Sequence, residues 1–90
     1  METLDILIIA PSGYGKSNLA DIVKNSIFKA DINAHIHVDD KDRELKELGD
    51  GKNKYNIIVR REKFDEDIAK ADIIVEIKSK KFYERYHEIN

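Results

Sequence analysis

The chain has no cysteine, which excludes disulfides, thiolate nucleophiles and cysteine-based zinc sites and suits a reducing compartment. It holds one proline, Pro11, and no Gly/Ser-rich linker or internal repeat divides it. Positive charge is not in surplus either. Lys and Arg number 16 against 18 Asp and Glu, a net charge of −2. That disfavours a general nucleic-acid coat, which must displace counterions. No apolar run approaches the roughly 18 residues that span a bilayer. The opening Met1-Glu2-Thr3-Leu4-Asp5 is acidic where a secretory signal would be basic. The expectation is a cytoplasmic protein without membrane association.

What is present is 90 residues, 41% hydrophobic and 38% charged. This suits one domain over residues 1–90, burying roughly 60–65% of the surface its unfolded chain exposes. Ile outnumbers Leu and Lys outnumbers Arg. Such a bias is common in AT-rich genomes, those of many viruses among them.

Leu4 to Ala10 is apolar on both faces after Asp5 and is followed by Pro and Gly, the pattern of a central parallel strand. From Ser17 to Lys29 the period becomes helical, with Leu19, Ile22, Val23, Ser26 and Ile27 in one stripe. Ala34 to Asp39 alternates: Ala34, Ile36 and Val38 point one way and His35 and His37 the other. Asp39 or Asp40 is placed to cap a short helix running through Leu48, ended by Gly49, with a polar loop from Asp50 to Lys54. Ile57 to Val59 reads as a third, interior strand, Phe64 to Lys70 as a helix, and Ile73 to Lys78 as a fourth strand. A last helix is expected from about Lys80, with Phe82, Tyr83 and Tyr86 on one side. Alternating strands and helices predict a three-layer α/β domain with a four-stranded parallel sheet flanked by helices. Strands 1 and 3 are interior by pattern and 2 and 4 are edges, which leaves the orders 2-3-1-4 and 2-1-3-4.

Between the first strand and first helix stands Ala10-Pro11-Ser12-Gly13-Tyr14-Gly15-Lys16-Ser17. This segment resembles the Walker A motif of the P-loop nucleoside triphosphatases and kinases, with Ala10 in the first glycine position. The resemblance implies that Ser12, Gly13, Tyr14, Gly15, Lys16, Ser17 and Asn18 cradle the phosphates of a nucleoside triphosphate, ATP foremost. Gly13 and Gly15 let the backbone close on a phosphate. Lys16 reaches the β- and γ-phosphates, and the Ser17 hydroxyl binds Mg²⁺. No Asn-Lys-x-Asp segment of the guanine-reading kind is present.

The same family requires a carboxylate for the Mg²⁺ shell, commonly at the end of the neighbouring strand. There the third strand reads Ile57-Ile58-Val59-Arg60-Arg61, with Arg in the expected place of Asp. Asp39, grouped with Lys16 as a catalytic candidate, offers a kinase-type acidic residue, or with Asp40 a helix-capping pair. Glu76 is a second candidate, or a solvated edge carboxylate. Arg60, Arg61 and Arg85 are placed either to stabilise phosphoryl charge or, for the first two, to answer Glu62, Asp65, Glu66 and Asp67. His35 and His37 could chelate a metal but lack an evident third ligand. Only the Lys78, Lys80 and Lys81 cluster would suit a nucleic-acid-binding module, and Glu84 and Glu88 beside it make it a solvated face.

Two functions fit. One is nucleoside triphosphate binding with Mg²⁺, with weak hydrolysis or kinase-like phosphoryl transfer. The other is a truncated P-loop fold used as a regulator or inhibitor of a protein partner, virus-encoded by its size and composition. Ninety residues leave no room for the lid and base-binding parts of the larger members of the family.

Overall fold

The computed structural model describes residues 3–40 and 46–78. Strand β1 (Thr3–Ile9) forms where the apolar run demanded cover on both sides, and Ile6, Leu7, Ile8 and Ile9 are all buried. Helix α1 (Lys16–Ala30) follows the glycine loop and packs Leu19, Ala20, Val23 and Ile27 onto one face of the sheet. Beneath it lie Ile6 and Ile8, then Ala34, Ile36 and Val38 of β2 (Ala34–Asp40), then Ile57 and Val59 of β4 (Asn53–Arg60). Each fully buried Ile or Leu in this layer stabilises the fold by about 1.5–3 kcal/mol. Ser26, expected in the helix stripe, is exposed.

In the chain, β2 is followed by β3 (Lys46–Leu48), a strand where the sequence predicts the end of a helix. It pairs antiparallel with β2, setting Leu48 beside Ile36, Glu47 beside His37 and Lys46 beside Val38. The four-stranded, all-parallel sheet is therefore overturned: the sheet is five-stranded and mixed, in the order β3-β2-β4-β1-β5. The alternative with β2 beside β1 is overturned as well, since β4 separates them. The physical reason is an unfilled row of hydrogen-bonding groups along the outer side of β2. Three residues placed against it satisfy that row, while Leu48 adds to the core. Asp40 ends a strand and begins no described helix; residues 41–45 of the expected one lie outside the described residues.

Gly49 makes the return from β3 possible. Its φ of 74° is left-handed, and a Cβ there would come within 2.3 Å of the Ala34 carbonyl oxygen. β4 is also longer than its apolar centre suggested. It pairs with β1 from Thr3–Lys54 to Ile9–Arg60 and with β2 from Ala34–Asn53 to Asp40–Val59, so the polar stretch from Asn53 is drawn into the sheet. Helix α2 (Asp65–Lys70) carries Asp65, Glu66 and Asp67 in its first turn, where the helix dipole favours negative charge. β5 (Ile73–Glu76) is parallel to β1 and closes the described sheet on that side. The expected last helix, with Phe82, Tyr83, Arg85 and Tyr86, lies outside the described residues.

Candidate functional site

β1 delivers the chain to the end of the sheet at which its parallel strands all finish. Ala10 is fully buried, and its N–H donates to the Arg60 carbonyl at 3.1 Å. The chain then turns: Tyr14 N–H donates to the Pro11 carbonyl at 3.3 Å, and Gly13 and Gly15 take φ of 84° and 81°. An L-residue pays about 1–2 kcal/mol for that region, which is why glycine stands at both positions. Gly15 is the N-cap of α1 and supplies no side chain, so no side-chain hydrogen bond caps this end. The first-turn N–H groups of Lys16, Ser17 and Asn18 thus lie at the positive end of the helix dipole.

Lys16, expected to reach the β- and γ-phosphates, is folded inward and only 6% exposed. Ser17 Oγ donates to Asp40 Oδ2 at 2.6 Å, and Asp40 is only 3% exposed. A buried carboxylate is costly to desolvate unless donors surround it. Here the strand phase supplies the position: Ala34, Ile36, Val38 and Asp40 all point at α1, so Asp40 meets the helix at its first turn.

Asp39 goes to the opposite face. Its Oδ2 accepts from Arg60 Nη2 at 2.8 Å, and its carbonyl accepts from Nη1 at 3.3 Å. Arg60 also donates through Nε to Asp67 of α2 at 3.2 Å and through Nη1 to the Val59 carbonyl at 3.0 Å. The Asp39 hydrogen bond above all, helped by the charges of Asp39 and Asp67, holds the guanidinium above its ordinary pKa. Arg60 is a clamp joining β2, β4 and α2. Glu76 sits beside Ile9 across the β1–β5 pairing, with Oε1 3.0 Å from Lys63 Nζ. His37 Nδ1 lies 3.5 Å from Glu47 of β3, and among the described residues no group of three or more His, Asp or Glu is arranged to hold a metal.

Two hollows meet at Lys16. One, of about 220 Å³, is lined by Gly13, Gly15, Lys16, Ser17 and Asn18. The other, of about 280 Å³, is lined by Lys16, Asp40, Val59, Arg60, Arg61, Glu62 and Phe64. A wider hollow, about 530 Å³ at the far end by Thr3, Lys52, Asn53 and Lys54, has no carboxylate in its lining. The structure thus brings Gly13 to Asn18 together with Asp40, and sets Asp39 on Arg60. Sequence reasoning named Asp40 only as a capping residue. The signal that marks it out is the alternation itself: counting by two from Ala34 reaches Asp40, while Asp39 falls on the histidine face.

No protein-family model, curated protein or solved structure matches the chain. The site is read from its own geometry.

Proposed function

We propose that the loop from Ser12 through Asn18 binds the phosphates of a nucleoside triphosphate with Mg²⁺, ATP in preference to GTP. The observation that carries this reading is the Ser17–Asp40 hydrogen bond at 2.6 Å, with Lys16 buried beside it. A glycine-rich turn alone would need neither a buried carboxylate nor an inward lysine. Together they form a P-loop-like constellation: backbone donors, a cation for the outer phosphates, and two hard oxygen donors. Mg²⁺ suits those donors, because it takes one or two protein oxygens and fills the rest of its shell with water and phosphate. Asp40 supplies the carboxylate that Arg60 cannot. Bound Mg²⁺ would neutralise phosphate charge, and Lys16 would hold the β- and γ-phosphates.

The test is a titration with Mg²⁺·ATP followed through the amide resonances of Gly13 to Asn18. Those resonances should shift, and Lys16→Ala should weaken binding about tenfold or more. Asp40→Asn keeps an acceptor for Ser17 and removes the charge, so its affinity should fall to that of the unaltered protein in EDTA. Resonances that stay put at millimolar Mg²⁺·ATP sink the reading.

One observation favours a protein-binding role instead. Among the described residues no strand covers the outer side of β5, whose Ile73 and Ile74 are 44% and 47% exposed. A regulator working through that edge would keep its cellular activity when Lys16 is replaced by Ala; a nucleotide-dependent protein would lose it.

A further inference from the structure

The hollow on the Arg61 side of Lys16 is larger than the one inside the glycine loop, and it extends past Lys16 and Asp40 to Arg61, Glu62 and Phe64. It opens beyond the C-terminal end of β4, which lies between two parallel neighbours, the place where open α/β sheets receive ligands. Its volume of about 280 Å³ is at the small end for a ligand site, below what a nucleotide needs. Three cations, Lys16, Arg60 and Arg61, line it against two carboxylates, Asp40 and Glu62.

The two arginines differ in exposure. Arg60 has four of its five N–H groups engaged with Asp39, Asp67 and Val59, and its side chain is only 11% exposed. That fixes the backbone at the rim and leaves little to offer a ligand. Arg61, the next residue, is exposed at the mouth of the hollow. Phe64, at the N-cap of α2, is the one aromatic group in the lining.

We infer that this cleft binds a second small anion, a phosphate- or carboxylate-bearing compound, against Arg61 while nucleotide phosphates occupy the adjoining loop. The inference rests on the nucleotide reading for the neighbouring ligand and on the cleft alone for the anion. Asp40, lining the cleft and bonded to Ser17, stands at the boundary between the two ligands.

The experiment uses the whole chain saturated with Mg²⁺·ADP. Glycerol 3-phosphate and glycerate are the charged probes and glycerol is the uncharged control. Amide resonances of Arg61, Glu62 and Phe64 should shift with at least one anion and not with glycerol. Which anion is the more effective separates a phosphate head from a carboxylate head. Arg61→Gln should weaken the anion about tenfold while leaving the Mg²⁺·ADP shifts at Gly13 to Asn18 intact. Shifts confined to Gly13 to Asn18, equal effects of glycerol, or an unchanged affinity in the Arg61 variant each overturn the inference. If Mg²⁺·ADP moves nothing but the anions still shift residues 61–64, the nucleotide reading falls and the cleft stands as an anion site.

Discussion

At the end of the sheet where its parallel strands begin, one carboxylate collects three donors. Asp31, just past α1, accepts from Tyr55 Oη at 2.5 Å, from Asn53 Nδ2 at 3.1 Å and from the Asn33 N–H at 2.8 Å. Gly49 and Gly51 bring the β3–β4 turn against the Ala34 and Asn33 carbonyls, too close for any Cβ. At the opposite end Asp40 is buried and accepts from Ser17, and Gly13 has nothing within 4 Å of where a Cβ would stand. The first end uses its polar groups to hold the chain together. The second arranges them around two hollows. Glycine shows a related contrast: at Gly49 and Gly51 a close carbonyl excludes a Cβ, with a left-handed φ added at Gly49, whereas at Gly13 the left-handed φ alone calls for glycine.

Substituting Gly49 tests the contrast most severely. Gly49→Ala meets the Ala34 carbonyl oxygen at 2.3 Å and is strained by its φ of 74°, so it should destabilise the fold by about 3 kcal/mol or more. Urea denaturation reads this directly, and a loss below about 1 kcal/mol would mean the turn relaxes and the two ends are not different in kind. Arg60→Gln comes next. It releases Asp39 and Asp67 from a mostly buried cation and should cost on the order of 2 kcal/mol, concentrated in faster amide exchange of α2. Protection of α2 unchanged would refute the clamp. Gly13→Ala should cost about 1–2 kcal/mol from its φ of 84° alone, because no atom opposes the methyl group. It should nevertheless weaken nucleotide binding, and a variant that binds normally would separate the loop from the site.

The smallest effect belongs to the Asp31–Tyr55 pair. Hydrogen bonds from Tyr55, Asn53 and the Asn33 N–H hold Asp31 below the usual carboxylate pKa, and the bond to Asp31 raises Tyr55. Their contributions have opposite pH signs. Asp31's is complete above the unfolded carboxylate value near about 3.9 and disappears as pH falls through the lower folded value. Tyr55's is complete below about 10 and disappears as pH rises through the raised folded value. Tyr55→Phe should therefore lower the thermal midpoint slightly at neutral pH and flatten its dependence at both extremes. A profile identical to that of the unaltered protein would show that the pair holds nothing.

The local parts of this molecule were legible before any fold was known. An apolar run bounded by Pro11 marks β1, helical spacing marks α1, and glycine at 13 and 15 marks a left-handed loop between them. Acidic residues at the start of α2 mark its first turn. Each depends on contacts within a few residues. β3 was not legible, since Lys46-Glu47-Leu48 has no strand pattern of its own and becomes a strand through pairing with Ile36 to Val38. Asp39 and Asp40 stand side by side in the sequence, and only Asp39 was read as a candidate for the site, with Asp40 as a capping residue. Their alternation was visible, but which face α1 would cover was not.

What the sequence by itself determined is the strand, loop and helix around Gly13 to Asn18, because backbone conformation and hydrophobic period are local properties. Tertiary structure decided which charges meet. Ser17 and Asp40 are 23 residues apart and Asp39 and Arg60 are 21 apart. Both pairs exist because β4 lies between β1 and β2 and α1 covers one face of all three. A buried carboxylate takes its partner from whichever element the sheet order brings beside it.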